Sequence, residues 1–296
     1  MISRRSFLQA AGISTYGLSS APLLNALTPF LTSAADEQKS TFGRVLFPAP
    51  VMDDIGVVIS SLIPDTVVQI TSGSEAAYTL HQGIVNRGVV QPMADFGAES
   101  FVPNDICPVE VIAPVAAIRQ WCAPAAPMLS RVGHGGVLHA IDSLIVQNVR
   151  WLGVASGPGA PLIGWTEAAR WRETTAYSDG LQFADTVEID RHARKLNVYG
   201  AGALLWGARV TISRSLAKGQ YRLDDRVISS ESSAQNMIGI PWSQIFDGYT
   251  LSGAYWHNEF GLEAQSPVNG AAIQLLPAAA RWLFRNFRAD GTLRVI

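Results

Sequence analysis

Short β-branched runs, broken every few residues by glycine or proline, govern what this chain can fold into. Val57-Val58-Ile59, Thr66-Val67-Val68-Gln69-Ile70-Thr71 and Gly83-Ile84-Val85 are each long enough for a strand and too short for a helix; Pro48, Pro50, Pro64, Gly73 and Gly83 punctuate them. The texture returns at residues 109–115, 128–132, 136–141, 150–154 and 162–166. The 26 Gly, 16 Pro and 16% charged residues agree with a turn-rich, mainly β protein.

The two blocks share an internal order. Each opens on a valine-and-proline segment, passes through a middle strand and an aromatic-bearing strand, and ends on Gly83-Ile84-Val85 or Gly164-Trp165-Thr166. This resembles two diverged bacterial SH3-like modules, expected at 41–95 and 106–175, although strands at this spacing also fit any small β barrel.

The net charge of -2, with no Lys/Arg stripe beyond the N-terminus, argues against nucleic acid as a partner, because phosphate neutralisation needs clustered cations. Ser3-Arg4-Arg5-Ser6-Phe7-Leu8-Gln9 matches the twin-arginine export pattern, and small residues Ser33-Ala34-Ala35 follow an apolar run. Residues 1–35 are therefore expected to be a signal peptide. A mature protein in the periplasm, cell wall or extracellular space follows, with no membrane span after cleavage, because no later segment reaches the ~20 apolar residues needed. Two cysteines, Cys107 and Cys122, leave two readings open: one disulfide, or two buried thiols. The five histidines have no ligand spacing, so no metal or other cofactor is expected; His134 and His139 read as turn and surface residues.

A third block reads as a hairpin, 186–190 and 195–199 around the turn Arg191-His192-Ala193-Arg194, then a strand over 203–212. Gly219 and Tyr221, Ile240-Pro241-Trp242, Phe246-Asp247-Gly248-Tyr249 and Leu251-Ser252-Gly253-Ala254-Tyr255-Trp256-His257-Asn258-Glu259-Phe260-Gly261 follow. Asn269-Gly270-Ala271-Ala272-Ile273-Gln274-Leu275-Leu276-Pro277 and Arg281-Trp282-Leu283-Phe284 complete the set. In this order they resemble the L,D-transpeptidase (YkuD-type) family, whose pattern runs L-H-G-A-Y-W-H-x-x-F-G, S-H-G-C-V-N-L-x-P and A-R-W-L-F. The resemblance implies a β-sandwich domain over 177–296, and peptidoglycan as the partner.

The family's reaction is acyl transfer through a Cys thiolate, with a His as base and N–H donors for the oxyanion. Counting back from Pro277, the Cys position falls on Ala272, the His on Gly270 and the Ser on Asn269; the first His of the other motif falls on Ser252. No catalytic residue is intact, and the 262–268 loop is longer than the family's. The resemblance leaves Tyr255, Trp256, His257, Tyr249 and Asn269 as substrate-binding candidates, while Trp242 and Trp282 suit the core. The leading expectation is a non-catalytic, peptidoglycan-binding protein. Two alternatives stand: an active L,D-transpeptidase or carboxypeptidase using Ser252 or Ser266, with His257 nearby, and a protein-interaction module of the cell envelope. The oligomeric state is not legible.

Overall fold

The computed structural model describes residues 42–94, 106–176, 182–213, 216–232, 236–261 and 272–296. The expected signal peptide, Ser266, Asn269 and Gly270 lie outside the described residues. The chain is mainly β. Among the described residues, twenty-three strands form three sheets, and the one described α-helix, α1, spans Pro277–Asn286.

The first sheet holds β1 (Phe42–Val45), β2 (Ala49–Met52), β3 (Val58–Leu62), β4 (Val67–Gly73), β5 (Ala77–Leu80), β6 (Gly83–Asn86) and β7 (Val90–Pro92). The second holds β8 (Cys107–Val111), β9 (Val115–Arg119), β10 (Met128–Gly133), β11 (Val137–Val146), β12 (Val149–Ala155), β13 (Gly164–Glu167) and β14 (Trp171–Glu173). Their strand orders are β3-β2-β6-β5-β4-β1-β7 and β10-β9-β13-β12-β11-β8-β14. Adding seven to each number of the first gives the second. A single 3₁₀ turn precedes the last strand in both, at Arg87–Val89 and Ala168–Arg170. The shared order seen in sequence is thus matched by a shared topology. Each sheet has its own core: Val45, Val51, Val85 and Val90 in the first, and Val109, Val111, Ile118, Leu152 and Trp171 in the second.

The third sheet comprises β15 (Ala184–Asp190), β16 (Lys195–Gly200), β17 (Ala203–Arg209), β18 (Thr211–Ile212), β19 (Gly219–Ser232), β20 (Met237–Phe246), β21 (Tyr249–Gly253), β22 (Ala272–Leu275) and β23 (Phe287–Val295). Their order is β17-β16-β15-β23-β19-β20-β21-β22-β18. Period-2 alternation sends Val187, Ile189, Leu196 and Val198 inward from the opening hairpin. The Asp190 carboxylate closes its turn by accepting the N–H groups of His192 and Ala193, both at 2.8 Å. The run over 203–212 is divided at Val210 into two strands that lie at opposite ends of the sheet order.

Pro277 opens α1, where its missing N–H costs nothing, and Ala279, Ala280, Leu283 and Phe284 form the buried stripe. Arg226 caps the other end, donating to the carbonyl oxygens of Phe284 (3.2 Å) and Phe287 (2.5 Å). Trp242 is fully buried in this core, edge-on to Phe284, and Trp282 packs beside it against Trp206.

The two cysteines are not bonded to each other; Cys107 is buried in β8, and Cys122 lies in the turn after β9. His134 and His139, expected at the surface, are 3% and 6% exposed. The reason is non-local: the glycine-rich turn carrying His134 is covered by the first sheet. His134 Nδ1 donates to the carbonyl oxygens of Ile112 (3.1 Å) and Ala113 (3.3 Å), while Nε2 accepts the Ala94 N–H at 3.1 Å. That network assigns the neutral tautomer.

Candidate functional site

The resemblance places the reacting centre where β21 and β22 run parallel. Their register pairs Thr250 with Ala272, Leu251 with Ile273, Ser252 with Gln274 and Gly253 with Leu275. Paired residues share a face. Leu251, Ile273 and Leu275 turn into the core, so Thr250, Ser252 and Gln274 belong to the opposite face. Thr211 of β18 joins them, opposite Gln274. The backbone of Ala272, the position to which the resemblance assigns the nucleophile, pairs with Thr250 at the head of this polar ledge.

His257 sits over this ledge, and both its ring nitrogens are occupied. Nδ1 accepts the Glu259 N–H at 3.2 Å, and Nε2 bonds Gln274 Oε1 at 2.8 Å. The first contact fixes the proton on Nε2, so Gln274 is the acceptor. Burial lowers the affinity of the ring for a proton, against the opposing pull of Gln274 and Glu259. A neutral imidazole with no vacant nitrogen cannot take a proton from a neighbouring hydroxyl. Ser252 is 5% exposed, in the strand paired with Gln274 rather than beside a free base. Cys122 is equally unsuited to act as a nucleophile: burial and Asp142 push its thiol up, away from the reactive thiolate.

The other candidates are not gathered here. Tyr249, on the opposite face of β21, packs edge-on to Tyr221 with ring centroids 4.9 Å apart, and its hydroxyl accepts the Ala217 N–H. Trp256 is half-buried between the cores of the second and third sheets. Tyr255, expected to contact a ligand, is instead part of the second sheet's core. Gly133 and Gly136 make the space for its ring. A Cβ at Gly133 would lie 2.7 Å from Tyr255 Cδ2, and one at Gly136 would lie 3.2 Å from Cδ1. The Tyr255 hydroxyl donates to the Ile238 carbonyl at 2.7 Å. A ring packed this way is spent on cohesion and cannot also line an open groove.

Asn258 does for the first sheet what Tyr255 does for the second. It is 1% exposed, and its Nδ2 donates to the carbonyl oxygens of Val90 (2.8 Å) and Arg87 (3.1 Å). Glu75 of the first sheet and Arg209 of β17 form an ion pair. The segment 254–261 is thus a strap fastened to both N-terminal sheets. Sequence reasoning passed over Asn258 and Gln274. The signal for Gln274 was present: one polar residue in the apolar run Ile273-Gln274-Leu275-Leu276, two positions from Ala272.

A second polar knot joins the second and third sheets. Glu110 of β8 is fully buried and receives Arg172 at 2.5 Å and Arg281 of α1 at 2.9 Å. Burial pushes its carboxyl up, to about 7, against the pull of Arg281 and Arg285. Arg285 also donates to Thr174 Oγ1 and to the Thr175 carbonyl. Among the described residues, no three of His, Cys, Asp and Glu converge as a metal set, and no helix is long and apolar enough to cross a membrane.

No family model and no curated protein matches this sequence. Solved structures similar to part of it include an L,D-transpeptidase from Stackebrandtia nassauensis, 17% identical over 40% of this chain and 57% of that one, with a TM-score of 0.32. L,D-transpeptidase 1 from Mycobacterium tuberculosis is 14% identical over 38% and 62%, with a TM-score of 0.33. A fused Zn-dependent amidase/peptidase with a peptidoglycan-binding domain, from Clostridium acetobutylicum, is 9% identical over 38% and 51%, with a TM-score of 0.31. The chain spans between half and two thirds of the length of these structures, each of which resembles it in part.

Proposed function

We propose that this is an exported, cell-wall-associated protein with an L,D-transpeptidase-like domain that binds peptidoglycan without cross-linking it. In this reading, residues 1–35 direct twin-arginine export, 41–95 and 106–175 are SH3-like modules, and 177–296 is the transpeptidase-like domain. The identical strand order of the first two sheets supports the pair of modules. The observation that carries the loss of chemistry is His257: the imidazole nearest the ledge headed by Thr250 has both nitrogens engaged. Acyl transfer needs a nucleophile with a base within reach, and with His257 engaged at both nitrogens the hydroxyls of the described ledge have no free imidazole to activate them.

Two measurements test this reading. The mature protein is expected to sediment with purified peptidoglycan, and its intact mass is expected to stay unchanged after incubation with a carbapenem. A mass increase of one carbapenem would overturn the inactive reading; failure to sediment would overturn the binding reading. A muropeptide turnover abolished by Ser252→Ala would instead establish a serine enzyme.

A second reading, an interaction module of the cell envelope, is favoured by the strap. Tyr255 and Asn258 serve the protein's own N-terminal sheets, which leaves less of this face for a stem peptide. Capture of a partner from envelope extract freed of peptidoglycan distinguishes it from the first.

A further inference from the structure

Strand β3 stands at the end of the first sheet and pairs only with β2 among the described strands. Its register sets Pro50 opposite Ser61, between the pairs Ala49–Leu62 and Val51–Ser60. Proline has no N–H to donate, so Pro50–Ser61 is the non-bonded pair of the antiparallel ladder. The backbone N–H and C=O of Ser61 therefore point away from β2, along the free edge.

Of the devices that usually block pairing, the edge carries one, a β-bulge at Ile59 between the pairs Val51–Ser60 and Met52–Val58. Lysine, proline and inward-pointing charge are all missing from Val58–Leu62. Ile55, Val57, Val58, Ile59 and Ile63, on β3 and next to it in the chain, are each 53% to 81% exposed. Together they leave roughly 600 Å² of mostly apolar surface in water, the size that marks an interaction site and close to the ~800 Å² per partner of a stable interface. Charge narrows the occupant. No Lys or Arg occurs between Arg44 and Arg87, so an anionic lipid surface finds no counter-charge, whereas the edge strand of a second copy, Val58–Leu62, is itself uncharged and mostly apolar.

We infer that β3 pairs antiparallel with β3 of a second copy, joining the two first sheets into one continuous sheet. Antiparallel pairing of identical strands has a local two-fold axis, so the contact is self-complementary and closes at two copies. The exposed isoleucines and valines of one copy then cover those of the other.

The test is sedimentation velocity on the full chain across the micromolar range, for the wild type, Ser61→Pro and Val58→Lys. Ser61→Pro removes the outward N–H without touching the β2 ladder; Val58→Lys puts charge into the covered patch. The wild type is expected to shift with concentration from monomer to dimer. Both variants are expected to remain monomeric with an unchanged melting temperature. A wild type that is monomeric throughout overturns the inference, whether or not it floats with phosphatidylcholine vesicles. So does a dimer that persists in a folded variant of either kind, or association that grows beyond two copies.

Discussion

Acid should loosen the joint between the first and second sheets through one residue, His134. Its ring is held neutral chiefly by burial; Arg44 and Arg281 push in the same direction, and the pKa falls from 6.5 to about 4. A base with a depressed pKa stabilises the fold fully above 6.5, and that contribution is lost as pH falls from 6.5 towards 4. At about 1.4 kcal/mol per pH unit, the interval is worth about 3 kcal/mol. Structurally, a second proton would sit on Nε2, facing the Ala94 N–H, donor against donor. Urea denaturation of the wild type and His134→Gln, at steps from pH 8 to pH 4, isolates the effect. Carboxylates titrate in both proteins, so only the difference counts. The variant is expected to be less stable at pH 8 and to close most of that gap by pH 4. Hydrogen exchange at Ala94 should accelerate in the same window. Parallel stability curves, or an NMR titration of His134 near 6.5, would refute the reasoning.

Three further outcomes are expected. Glu110→Ala leaves Arg172 and Arg281 without their buried counter-charge and should cost about 3–5 kcal/mol in equilibrium unfolding. Asn258→Ala frees the carbonyl oxygens of Arg87 and Val90 and should cost ~1–3 kcal/mol, with faster limited proteolysis around Arg87. Ala272→Cys should not restore acylation by a carbapenem, measured by intact mass, because His257 remains bound at both nitrogens.

The strands were legible where one face meets a core and the other meets water. The opening hairpin alternates Val187, Ile189, Leu196 and Val198 with polar residues, and β15 and β16 follow that pattern to within two residues. Composition alone pointed to a mainly β chain. Legibility failed where burial comes from another sheet. His134 lies among three glycines and looks solvated, yet Gln91 and Ala94 cover it. Tyr255 sits in a motif that suggests a groove, and only the floor made by Gly133 and Gly136, more than a hundred residues earlier in the chain, shows where its ring goes. Glu110 reads as an ordinary strand carboxylate because its partners, Arg172 and Arg281, are far away in sequence. Local periodicity carries no information about such pairs.

The strap also has a consequence for the order of folding. Its bond from Asn258 to Val90 spans 168 residues, and the contact between Arg44 and the Tyr255 carbonyl spans 211. Each N-terminal sheet closes over much shorter separations, so its loop-closure entropy is met early, during or soon after synthesis. The seam must wait until the last third of the chain exists. It should form last, open first under force or denaturant, and set the slowest phase of refolding.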